Sequence, residues 1–172
     1  MKRKIITAIF IVIAFLLQST VFDRLSFANV RPDLLIIVTA SFGFMRGRKE
    51  GMAVGFACGL LADIFWGGMI GFYTLIYTVL GYLNGTFHRM FFDDDIKLPL
   101  ALIGASDLLY SLTAYVCLFM LQGEFIFSYF LGHVMLPELV YTILITLVLY
   151  QLILYVNRRL EAEEQRSASK FV

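Results

Sequence analysis

Two aspartates, Asp63 and Asp107, stand inside long apolar stretches of the chain, where an acid is costly enough to demand a reason. A pair of intramembrane aspartates that share one proton is a conceivable hydrolytic device. The spacing argues against it. Asp107 falls nine residues beyond Leu98, the start of its stretch, which at about 1.5 Å per residue is roughly mid-bilayer. Asp63 falls near the outer end of another stretch, just before Trp66. Two further acids, Asp33 and Glu138, open apolar stretches, where the positive end of a helix dipole favours a carboxylate.

The remaining reactive residues give no catalytic set. His88 and His133 lie at expected membrane edges with no nucleophile at a useful spacing. HExxH, G-x-S-x-G, a phosphate-binding glycine loop and a dinucleotide fingerprint are all missing from the sequence. Cys58 and Cys117 sit in apolar runs as small hydrophobes, and no zinc spacing surrounds them. The run Asp93-Asp94-Asp95 offers hard oxygen ligands, but three consecutive acids cannot all face one ion without a folded loop, and the spacing of a calcium loop is absent. No enzyme activity, metal or cofactor is expected.

Small residues carry a different signal. Gly51, Gly55 and Gly59 recur every four residues and lead to Asp63, and Gly81 and Gly85 repeat the step further on. Residues four apart share a helix face, and a face without side chains lets a second helix approach closely. These glycines are therefore expected to pack helices of this chain together or to receive a partner's helix.

The elements that must position these residues follow from composition. Of 172 residues, 60% are apolar and 16% charged, against roughly half and a quarter in soluble domains. A span needs about 20 apolar residues, or about 17 at the short end. Stretches 5–22, 51–66, 69–87 and 98–121 read as spans, while 33–45 is short for one. Stretch 125–156 is too long, and Pro137 divides it into an interfacial helix over 125–136 and a sixth span over 138–156. Lys2-Arg3-Lys4 precedes a run too long for a signal peptide, with no cleavage site after it, so the first span is expected to be retained.

The fold expected is all-α: a polytopic six-helix transmembrane bundle forming one domain over 1–156, followed by a polar cytoplasmic tail over 157–172. With both termini in the cytoplasm, all of the 14 Lys and Arg residues except Arg24 and Arg31 fall inside, a strong positive-inside bias. The same topology gathers Arg31, Asp33, Asp63 and Glu138 on the outer side and leaves Asp107 as a buried intramembrane acid.

The segment RPDLLIIVTASFGFMRGRKEGMAVGFACGLLADIFWGGMIGFYTLIYTVLGYLNG, residues 31–85, resembles the signature region of the rod shape-determining protein MreD family. The matching features are Pro32-Asp33-Leu34, the glycine-spaced helix ending in Gly59-Leu60-Leu61-Ala62-Asp63, and then Gly67-Gly68 and Gly71. The C-terminal half agrees in layout more than in motif. The resemblance implies a non-enzymatic scaffold in the bacterial cytoplasmic membrane, part of the cell-elongation machinery that organises peptidoglycan synthesis. It implies MreC as the direct partner, with MreB, RodA and a penicillin-binding transpeptidase in the wider complex, the lipid bilayer around it and no nucleic acid. It also implies a fold similar to the substrate-binding components of energy-coupling-factor transporters, which makes a vitamin-binding transporter subunit the alternative function. Ala8 and Ala14, six apart on the first span, lack the four-residue docking step common in such subunits.

Overall fold

A computed structural model of the chain describes residues 2–21, 32–65, 70–90, 96–120 and 131–168. Among them are six α-helices and no strand: α1 (Lys2–Leu16), α2 (Leu34–Arg46), α3 (Arg48–Phe65), α4 (Phe72–Thr86), α5 (Lys97–Met120) and α6 (Leu136–Ala168). Arg31, Gly67-Gly68 and the Asp93-Asp94-Asp95 run lie outside the described residues. So does most of the expected interfacial helix. Its last residues, Leu131–Met135, form a wide helical turn that runs directly into α6.

Helix α2 is the axis of the bundle. Asp33 caps its first turn, accepting from the Leu35 and Ile36 N–H groups at 3.1 Å each. Gly47 ends it with φ 91°, ψ −178°, a conformation that only glycine adopts readily. That single residue turns the chain from α2 into α3. Every residue from Leu34 to Met45 is buried, with α1, α3, α4, α5 and α6 all packed against it. At 13 residues the helix is about 20 Å long, and the shortness noted in the sequence belongs to an element that presents no face to the surroundings.

The stretches Lys97–Cys117 and Leu131–Leu160 are long and apolar enough to cross a bilayer; Lys4–Thr20 and Leu34–Arg46 are shorter apolar helices. Their outward faces carry large hydrophobics, such as Ile9 and Leu16 on α1, Leu109 and Val116 on α5, and Leu144 and Val148 on α6. The polar tail expected over 157–172 starts within α6. Asn157 and Leu160 are buried, and α6 continues unbroken to Ala168. Asn157 meets Arg46 inside the bundle.

Candidate functional site

The glycine face comes first, because it sets how closely the acids' helices approach. Gly51 and Gly81 oppose one another so tightly that a Cβ on either would overlap the other's carbonyl. One on Gly55 would strike the Tyr77 carbonyl, and one on Gly59 would lie 2.7 Å from the Tyr73 carbonyl oxygen. Gly85 meets the Arg48 backbone, and Gly43 of α2 faces the Gly81 carbonyl and the Gly85 N–H. The stripe on α3 is thus filled by α4 of the same chain.

Asp63 closes that seam. Its carboxylate accepts from the backbone N–H groups of Gly71 (2.9 Å), Tyr73 (2.9 Å) and Thr74 (3.0 Å), and from the Thr74 hydroxyl. Those donors are the first turn of α4, whose own cap residue, Gly71, has no side chain to offer. Asp63 therefore caps a helix other than its own, where the dipole also favours its charge.

Asp33 gathers a second set of donors. Beyond capping α2 it accepts from Gln18 Nε2 (3.3 Å) and from the Tyr77 hydroxyl (2.6 Å), while Gln18 Oε1 accepts from Leu35 N–H (3.1 Å). Tyr77 packs against Tyr110 at 5.5 Å between ring centroids, and Tyr110 against Tyr73 at 6.2 Å. One carboxylate thus ties the helical turn after α1 (Leu17–Val21) to α2 and α4, with α5 stacked behind.

Asp107 on α5 and Glu138 on α6 lie near enough to influence each other electrostatically. The Ser111 hydroxyl donates to Glu138 Oε2 at 3.1 Å. Four residues back along α5 and four forward along α6, Asp107 faces Thr142. Asp107 and Thr142 are 1% and 0% exposed, and the Thr142 hydroxyl is placed to donate to the Asp107 carboxylate. Next in the seam comes Gly104, where a Cβ would make only ordinary contacts with Leu139 and Ile143.

Of the expected outer-side cluster, Arg31 lies outside the described residues. Asp33 and Glu138 are near enough to influence each other electrostatically, whereas Asp63 is bound to the start of α4. Sequence reasoning missed Gln18, Tyr77 and Thr142, and also the opposite end of the bundle. There Arg46 donates to Asn157 Oδ1 (2.9 Å) and Thr7 Oγ1 (2.7 Å) with its guanidinium over the Phe42 ring. The available signal was periodic: Glu138, Thr142, Thr146 and Tyr150 step by four along α6, and Thr142, Thr146, Tyr150 and Asn157 are all buried.

In comparison with known proteins, the family model described as rod shape-determining protein MreD matches residues 2–159. No curated protein and no solved structure matches the chain.

Proposed function

This chain belongs to the MreD family of rod shape-determining proteins, and we propose that it serves rod shape as a non-enzymatic membrane scaffold that binds MreC. MreB, RodA and a penicillin-binding transpeptidase complete the assembly in this reading, which organises peptidoglycan synthesis along the side wall. The protein sits in the bacterial cytoplasmic membrane with six spans and both ends inside, as the distribution of basic residues favours.

The family match carries this reading, and the chemistry of the site supports it. Glycines and acids that elsewhere would serve partners or substrates are spent on the bundle itself: the glycine face on α4, Asp63 on the α4 terminus and Asp33 on α2, α4 and the turn after α1. Such a bundle is a rigid platform. A partner helix would then meet larger side chains and gain affinity through van der Waals contact and lipid release.

The test is affinity purification of the tagged protein from its native membrane, combined with depletion. A scaffold brings MreC with it, and its loss rounds the cells whatever vitamins are supplied. Recovery of transporter ATPases instead, with cell shape intact, would establish the transporter reading in its place.

A further inference from the structure

We propose that the outward groove between α3 and α4 seats one anionic phospholipid, with its headgroup at Arg48, Lys49 and Arg89 and its acyl chains along the apolar side chains beside the glycine seam. Gly51, Gly55 and Gly59 bring α3 to backbone contact with Gly81, Tyr77 and Thr74 of α4. One residue along from those glycines, Met52, Phe56, Leu60 and Ile64 recur every four residues, and all are exposed. Arg48, also exposed, stands one step earlier in the same series. Residues four apart share a helix face, so this face of α3 is a cation followed by four large hydrophobics. On α4 the exposed Leu75, Val79 and Tyr82 form the corresponding stripe. The Arg48 guanidinium lies over the Tyr82 ring at 5.4 Å, which fixes the two stripes on one side of the seam.

The cations at the head of this groove have no protein anion to meet. Arg48, Lys49 and Arg89 are exposed and form no ion pair among the described residues. Glu50, half-buried, is the one acid described at this end of the α3–α4 pair. The fold gathers the three cations. Gly85, four residues before Arg89, meets the Arg48 backbone. The turn that carries Arg89, Phe87–Met90, is pinned beside the start of α3: His88 Nδ1 donates to the Phe44 carbonyl at 2.9 Å, and a Cβ on Gly47 would touch the His88 ring.

Charge and shape together select the occupant. A phosphodiester of net negative charge can receive charge-assisted hydrogen bonds from several cations at once. Stacking on Tyr82 keeps the Arg48 guanidinium at the level of the membrane interface, where tyrosine is itself at home. Below it, Met52 to Ile64 gives about 18 Å of apolar wall at about 1.5 Å per residue, enough for an acyl chain in one leaflet of about 15 Å. A soluble anion would use the cations and leave the wall idle. A partner helix would use the wall but would need acids of its own at the level of three cations. Arg159 over Tyr155 at 4.8 Å is a second stacked arginine, but α6 carries no glycine and offers no such seam beside it. The inference rests on the membrane placement of the chain and not on MreC binding.

The experiment uses the purified full chain, without partners, in vesicles of phosphatidylcholine holding a minor share of phosphatidylglycerol. After extraction in mild detergent, the lipid retained per chain is counted by mass spectrometry. Phosphatidylglycerol should be enriched about tenfold over its share of the vesicle, and glycerol phosphate should not displace it. Arg48→Gln and Arg89→Gln, read separately so that loss of fold in one leaves the other, should each lower the enrichment about fivefold, the factor expected of one cation at an anionic headgroup. Arg159→Gln removes a stacked arginine away from the groove and should leave the enrichment unchanged, with melting temperature as the check on folding in all three. In native membranes Phe56→benzoylphenylalanine should crosslink to phospholipid. Equal retention of the two lipids, equal losses from Arg48→Gln and Arg159→Gln, displacement by glycerol phosphate, or a protein adduct in place of the lipid adduct overturns the proposal.

Discussion

Replacing Asp63 tests whether one helix's carboxylate holds the start of the next. Oδ2 accepts from Gly71 N–H, Thr74 N–H and the Thr74 hydroxyl, and Oδ1 from Tyr73 N–H. In Asp63→Asn the amide oxygen can keep the Oδ2 set, but its NH2 then points a donor at Tyr73 N–H, and the charge on the α4 dipole is gone. The loss should be about 1–2 kcal/mol. Asp63→Ala forfeits the whole cap, and Gly71 has nothing to substitute. A lost cap costs about 0.5–2 kcal/mol and a partly buried dipole interaction up to about 2, so about 3 kcal/mol in all is expected. For a chain of this size each kcal/mol lowers the melting temperature by about 2–4 °C. The assay is thermal melting in nanodiscs: a drop of about 3–6 °C for Asn and about 6–12 °C for Ala, with MreC recovery per folded molecule unchanged. An alanine variant that melts within about 2 °C of wild type, or one that keeps its stability while losing MreC, refutes the capping argument and places Asp63 on a partner surface.

Gly55→Ala should destabilise the protein by about 3 kcal/mol or more, because two backbones must part; Gly104→Ala, which meets only side-chain ends, should be nearly neutral, and comparative melting checks both. Tyr77→Phe leaves Asp33 Oδ2 buried without its hydroxyl donor and should cost about 1.5–3 kcal/mol in the same assay. For topology, Lys49→Cys and Gly132→Cys, each in a chain whose Cys58 and Cys117 are alanine, sit at exposed positions; an impermeant thiol reagent on intact cells should label the second and spare the first.

Helix order was readable from hydropathy because breaks in apolar runs are chemically obvious: Pro32-Asp33 starts α2 and Pro137 lies in the first turn of α6. The direction each helix faces was much harder to read. In a soluble protein the apolar stripe marks the core, but here the outward residues of α6, such as Val148 at 74% exposed, are as apolar as the inward Ile153. The stripe therefore carries little azimuthal information, and the scarce polar residues carry most of it. Glu138, Thr142, Thr146 and Asn157 form an inside-out pattern on α6 that span-finding alone passes over. The glycine stripe was legible as a close-packing face, yet its occupant was not, since periodicity names a face and not its neighbour. Gln18 as a partner of Asp33 had no sequence signal, because 15 residues separate them and only the bundle's closure brings them together.

The enclosure of α2 has a mechanical consequence. A membrane acts on a protein through the side chains it wets, so thickening, thinning or curvature applies force to the outward faces of α1, α3, α4, α5 and α6. Helix α2 presents no such face, and its ends are fixed by Asp33 and Gly47. It behaves as a strut about which the wetted helices can tilt while the strut itself bears no direct load from lipid. Strain imposed by the bilayer would therefore fall on seams without such a lock, among them the one where α5 and α6 meet over Gly104, and would leave the glycine-locked α3–α4 pair in register.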